Sequence, residues 1–73
     1  MAVYPNPSHG TVTVSLPEDE GTLTLFDATG RQLMQRSTHA QNTTLDVSSL
    51  PTGIYMVQFT SQRGTTVSRL AVR

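Results

Sequence analysis

The side chains able to do chemistry in this chain are few: the acids Glu18, Asp19, Glu20, Asp27 and Asp46, the histidines His9 and His39, and Ser8 beside His9. General acid–base work needs two carboxylates converging on one substrate. Asp27 opens the turn-forming string Asp27-Ala28-Thr29-Gly30 and Asp46 closes a short strand, so local hydrogen bonding already accounts for both. Ser8-His9 is a sequence-neighbour pair, whereas a catalytic serine and histidine meet across a fold. A zinc site wants about four ligands at short local spacings, and neither histidine has a second one close by. Glu18-Asp19-Glu20 could offer oxygens to calcium, but three adjacent acids cannot all converge on one ion. A solvated acidic turn is the better reading. Tyr4 and Tyr55 could bind sugar or peptide through their rings. Tyr55, however, sits in the most apolar run, where its ring belongs inside and its hydroxyl needs one partner at the rim. With no tryptophan present, a carbohydrate-binding platform is disfavoured. These residues describe a chain that is not an enzyme and has no metal, cofactor or small-molecule substrate.

Composition narrows the partners. The five acids balance five arginines, Arg31, Arg36, Arg63, Arg69 and Arg73, to a net charge of zero. Nucleic acid is excluded, because a groove for it needs clustered excess positive charge. A polybasic membrane surface is weakened for the same reason. Seventy-three residues without cysteine make one small domain that lives on its hydrophobic core alone. No apolar run approaches a membrane span or a signal-peptide core. Met1-Ala2 reads as an added start ahead of a piece cut from a longer protein, with the domain covering residues 3–73.

The hydrophobic period is two throughout. Thr11 to Leu16 alternates without a fault, with Val12, Val14 and Leu16 on one face and hydroxyls on the other. Thr22 to Phe26 alternates again, with Leu23 and Leu25 inward, and Gly30 closes the following turn where a positive φ is expected. Arg31 to Arg36 returns as an edge strand whose charges discourage unwanted pairing. Residues 37–43 are polar and read as a loop, followed by a short strand, Thr44 to Val47, with Leu45 and Val47 inward. Ile54 to Phe59 is apolar on both faces except at Gln58, the pattern of a strand covered on two sides. Thr65 to Val72 closes the chain; the odd spacing of Val67 and Leu70 predicts a bulge near Ser68-Arg69. Six to seven short strands with regular turns describe an all-β fold, a small antiparallel β-sandwich, with a small closed barrel as runner-up.

Two phrases stand out within this frame. Tyr4-Pro5-Asn6-Pro7 forces an extended start that no helix could use. Leu50-Pro51-Thr52-Gly53-Ile54-Tyr55 places a fixed φ at Pro51 and, at Gly53 just before the apolar strand, a glycine able to take the positive φ that a turn position needs, with Leu50 plugging one end of the core. Taken with Gly10, the block Leu25 to Arg31, the block Leu45 to Tyr55, Gly64 and the closing Arg69-Leu70-Ala71-Val72, the chain resembles the C-terminal sorting domain of type IX secretion cargo, the "type A" signal. Each block is weak alone; four in the right order are specific.

The resemblance implies an immunoglobulin-like β-sandwich at the end of a larger exported protein. It implies an N-terminal cargo domain that passes through the periplasm and reaches the outer membrane, the cell surface or the medium. The implied partners are the outer-membrane type IX translocon, a shuttle protein and a sortase. Where the family often carries lysine before the leucine of its last strand, this chain has Arg69, which keeps the charge and changes the geometry. Gly53, Tyr55, Arg69, Leu70, Val72 and Arg73 are expected to form the recognised surface. Tyr4, Pro5, Asn6, Pro7, Asp27, Gly30, Leu50, Pro51 and Gly53 are expected to serve as structural motif residues. A structural or adhesive spacer of the fibronectin kind is the alternative function.

Overall fold

A computed structural model describes residues 1–5 and 10–73. Among these residues seven strands follow in order: β1 (Ala2–Tyr4), β2 (Thr11–Ser15), β3 (Gly21–Asp27), β4 (Gln32–Thr38), β5 (Asn42–Asp46), β6 (Gly53–Ser61) and β7 (Gly64–Val72). They form two antiparallel sheets, β1-β2-β5 and β4-β3-β6-β7. β1 lies near β7 without pairing to it, and the two sheets share no ladder, so the fold is a sandwich and not a closed barrel. In immunoglobulin lettering the sheets are A-B-E and C′-C-F-G, the fourth strand pairing with β3 rather than β5. No helix occurs among the described residues.

Alternation decides what each sheet buries. β2 and the segment after it contribute Val12, Val14 and Leu16, and β5 and its exit contribute Leu45 and Val47. The facing sheet contributes Leu23, Leu25, Tyr55, Val57, Phe59, Leu70 and Val72. Each fully buried leucine or phenylalanine stabilises the fold by roughly 1.5–3 kcal/mol. Met1, Val3, Leu33, Met34 and Leu50 pack around the margin of this cluster. Leu50 thus takes the end position expected of it, and Met1 and Ala2 are built into the fold's first strand and its packing.

Three local expectations are corrected. The region 37–43 is largely strand, because β4 runs on to Thr38 and β5 starts at Asn42. Thr38 is buried despite its hydroxyl, which donates to the Gly21 carbonyl at 3.2 Å. The bulge is not in β7: the β6–β7 register runs unbroken from Gly53↔Val72 to Ser61↔Gly64. Val67 simply points outward and is 50% exposed. The irregularity lies instead between β3 and β4, where Leu25 faces Met34 and Phe26 faces Gln32. Leu33 is the extra residue, and the bend it introduces lets consecutive apolar side chains, Leu33 and Met34, both reach the core margin.

The third correction concerns Gly53, whose φ is not positive; Gly30 (φ 91°) and Gly64 (φ 131°) are the glycines in that region. The chain has already reversed when it reaches Gly53, since Leu50 N–H donates to the Val47 carbonyl at 3.1 Å and Gly53 pairs with Val72. Gly21 is needed for a different reason. A Cβ there would lie 2.5 Å from two Phe59 ring carbons and 2.6 Å from the Thr60 carbonyl oxygen.

Gly21→Ala is therefore expected to destabilise the domain by about 1–3 kcal/mol through overpacking against backbone that cannot yield. Gly53→Ala, with only a Tyr55 ring carbon at 3.9 Å, should change stability by less than about 0.5 kcal/mol. Urea midpoints of the two variants check this. Equal midpoints would refute the close-approach reading of Gly21.

Candidate recognition surface

The two aspartates at strand ends, Asp27 and Asp46, are occupied in turns. Asp27 Oδ1 accepts from Thr29 N–H (2.9 Å), Thr29 Oγ1 (2.6 Å) and Arg31 N–H (3.0 Å), and its Oδ2 lies 3.3 Å from Arg31 Nε. Gly30 N–H donates to the Asp27 carbonyl and Asp27 N–H to the Arg31 carbonyl, each at 3.0 Å. This is a three-residue hairpin loop with its glycine at positive φ. The Thr29 hydroxyl holds the Asp27 carboxyl below the usual carboxylate range, with help from the Arg31 and Thr29 amides and the Arg31 charge. Asp46 repeats the device: its Oδ1 accepts from Ser48 Oγ (2.6 Å) and Ser48 N–H (2.9 Å), and the Ser48 hydroxyl is the main cause of its lowered pKa. The two aspartates lie on different sheets, and neither faces a cleft with the other.

Glu18 is likewise engaged. Its carboxylate accepts from the Ser61 hydroxyl and lies 3.8 Å from Arg63 Nε, tying the β2–β3 turn to the β6–β7 hairpin. Among the described residues no three histidines, cysteines, aspartates or glutamates are grouped as a metal site would require. His39 is exposed. His9, Ser8, Asn6 and Pro7 lie outside the described residues, so of the Tyr4-Pro5-Asn6-Pro7 phrase only exposed Tyr4 and Pro5 are placed.

At the start of β6 the sequence phrase resolves into a tyrosine corner. The Tyr55 hydroxyl donates to the Pro51 carbonyl at 2.6 Å, four residues upstream, while its ring is buried in the core. Sandwiches of this class use such a tyrosine at the E–F corner to fasten the crossover between sheets. Here Pro51 supplies the acceptor, Asp46 and Ser48 shape the preceding turn, and Leu50 seals the end.

β7 then brings the expected surface residues together with this corner. Gly53 pairs with Val72, Tyr55 with Leu70, and Met56 with Arg69. The set divides by parity. Tyr55, Leu70 and Val72 point into the core, at 6%, 0% and 3% exposure, whereas Arg69 and Arg73 are exposed and Gly53 lies half-buried at the strand end. What another protein could touch at this end is therefore Gly53, Arg69 and Arg73, with the three buried side chains fixing their positions. Reading the sequence missed the outward residues of β6. Ile54, taken as part of a doubly covered strand, is 41% exposed. The signal was present, since apolar residues on both faces ask for two covers and the fold supplies one.

A family model for the secretion system C-terminal sorting domain matches residues 2–73. The chain belongs to that family. Its members are sorting signals rather than enzymes, carried by larger proteins that engage secretion machinery and are exported to the cell surface or beyond. Among solved structures, PorZ of Porphyromonas gingivalis, an essential bacterial surface component of the type-IX secretion system, contains a region of the same fold. The TM-score is 0.86 at 23% identity, covering 99% of this chain and 11% of PorZ, so the likeness is to one small part of that protein. No curated protein matches the chain.

Two measurements check the geometry of the corner and turns. Tyr55→Phe should cost about 0.5–1.5 kcal/mol by removing the donor to Pro51, seen as a lower urea midpoint with unchanged slope. The aspartates should appear in the pH dependence of stability. Both folded-state pKa values are lowered, so their contribution is present above the unfolded carboxylate value, near pH 4, and is lost as pH falls through the folded values. Asp27→Asn combined with Asp46→Asn should flatten that part of the stability curve; an unchanged slope below about pH 4 would refute the assignment.

Proposed function

We propose that this domain is an export address, read as a folded surface by the outer-membrane translocon of the type IX secretion system and its shuttle protein. Its cargo lies N-terminal to it in a larger polypeptide and passes through the periplasm; a sortase then removes the domain at the cell surface. The domain has no activity of its own. Asp27, Asp46 and Glu18 are held in turns by local hydrogen bonds and ion pairs. The recognised end is that of the β6–β7 ribbon, where Gly53, Arg69 and Arg73 are presented and Tyr55, Leu70 and Val72 hold them in register.

The observation that carries this reading is the family match over residues 2–73, on a fold in which the blocks 25–31, 45–55 and 69–72 fall at the hairpin, the tyrosine corner and the closing strand. The match favours an address over a passive spacer, which would not require that particular set of blocks.

The test is a fusion of a periplasmic reporter, with its own signal peptide, to residues 1–73 in a type IX-competent cell. The reporter should appear outside the cell and should accumulate in the periplasm when the outer-membrane translocon is deleted. Truncation is a poor probe of the last strand, because it would remove core residues Leu70 and Val72. Export that is indifferent to the translocon, or that never occurs, would end the proposal.

A further inference from the structure

Among the described strands, β5 pairs only with β2 and β4 only with β3, so each is the edge of its sheet. The β2–β5 ladder decides which backbone groups of β5 are in use. Leu16 N–H donates to the Gln41 carbonyl and Val47 N–H to the Gly10 carbonyl. In an antiparallel ladder such bonded pairs alternate, so Gln41, Thr43, Leu45 and Val47 exchange bonds with β2. Asn42, Thr44 and Asp46 lie between them and turn their N–H and C=O groups away from β2, toward the open edge.

Arg36 stands over the middle of that edge. It lies directly opposite Leu23, a core residue, and shares its parity on β4 with Met34, which packs on the core margin, and buried Thr38. A guanidinium on this inward parity cannot stay among apolar side chains. It reaches across to the other sheet instead and donates from Nη1 to the Thr44 carbonyl at 3.0 Å. Inward-pointing charges on edge strands are one way natural sheets prevent pairing with another chain.

We propose that Arg36 is a guard that keeps β5 from pairing with β5 of a second copy. The edge it covers is self-complementary. An antiparallel pair centred on Thr44 sets Thr44 against Thr44 and Asn42 against Asp46 of the other copy, an amide beside a carboxylate with no like charges opposed. Each of these facing residues exchanges the N–H and C=O that β2 leaves unused. With Arg36 in place the central carbonyl is already taken, and the two-fold axis through Thr44 would bring two guanidiniums together.

Sedimentation equilibrium across a concentration series tests this. Arg36→Thr and Arg36→Gln lose the charge and should lower the dissociation constant for self-association at least about tenfold relative to the wild-type chain. Arg31→Thr removes the same charge from the β3–β4 hairpin and should associate no more than wild type. Adding Thr44→Pro to Arg36→Thr removes an outward N–H and sets a ring on the edge, which should restore wild-type behaviour. In the associating variants the Thr44 amide should exchange with solvent more slowly as concentration rises. Urea midpoints establish which variants are folded. Folded Arg36 variants that associate no more strongly than wild type would overturn the inference. So would association that survives Thr44→Pro, or that leaves Thr44 exchange unchanged. Loss of the fold in both Arg36 variants would overturn it as well, because Arg36 would then be a support of the sandwich and not a guard of its edge.

Discussion

The unbroken nine-residue register between β6 and β7 is the constraint on which the rest of the structure depends. Side chains alternate along each strand, so one register assigns every residue of both strands to a face. Tyr55, Val57, Phe59, Leu70 and Val72 go in; Ile54, Met56, Val67 and Arg69 go out. A slip of β7 by one residue against β6 would turn β7 over, exposing Leu70 and Val72 and facing Arg69 toward the core. The register is pinned at both ends. The Ser61–Gly64 hairpin, tied through Ser61 and Arg63 to Glu18, fixes one end. The Tyr55–Pro51 hydrogen bond fixes the other.

The polar chemistry of the chain serves this geometry. Asp27 and Asp46 each collect donors from residues two to four positions ahead, which is how a short side chain makes a tight turn without help from the rest of the fold. Arg36 spans the two sheets by donating from Nη1 to the Thr44 carbonyl at 3.0 Å, joining the edge strands β4 and β5. Backbone hydrogen bonds extend the β2–β5 ladder beyond its strands: Leu16 N–H to the Gln41 carbonyl (2.6 Å) and Val47 N–H to the Gly10 carbonyl (2.8 Å). Asp27, Asp46, Glu18, Arg31, Arg36 and Arg63 thus act as fasteners of turns and sheets.

Much of this was legible in the sequence, because period-two alternation reports directly on which face is buried. Val12, Val14, Leu16, Leu23, Leu25, Leu45 and Val47 were readable as inward, and the Asp27–Gly30 turn was readable down to the sign of φ at Gly30. What was hidden depends on neighbours that a single strand does not reveal. The odd spacing of Val67 and Leu70 looked like a bulge, but it reflects one apolar residue on the outer face. The actual bulge at Leu33 is invisible until β3 is laid beside β4. Gly53 looked like a turn glycine, yet the reversal is completed upstream by Asp46, Ser48 and Leu50. Of the residues expected to form the recognised surface, the Tyr55 ring was readable as inward with its hydroxyl at the rim, but the sequence did not show that Leu70 and Val72 face inward beside it.

The position of β7 in chain order has a consequence for synthesis. This strand is the last in the domain, and it supplies both the whole partner edge of β6 and two core side chains, Leu70 and Val72. A polypeptide released from the ribosome before that point would leave β6 unpaired along one side and the sandwich open. The four-stranded sheet is therefore complete only when the last of the described strands is in place.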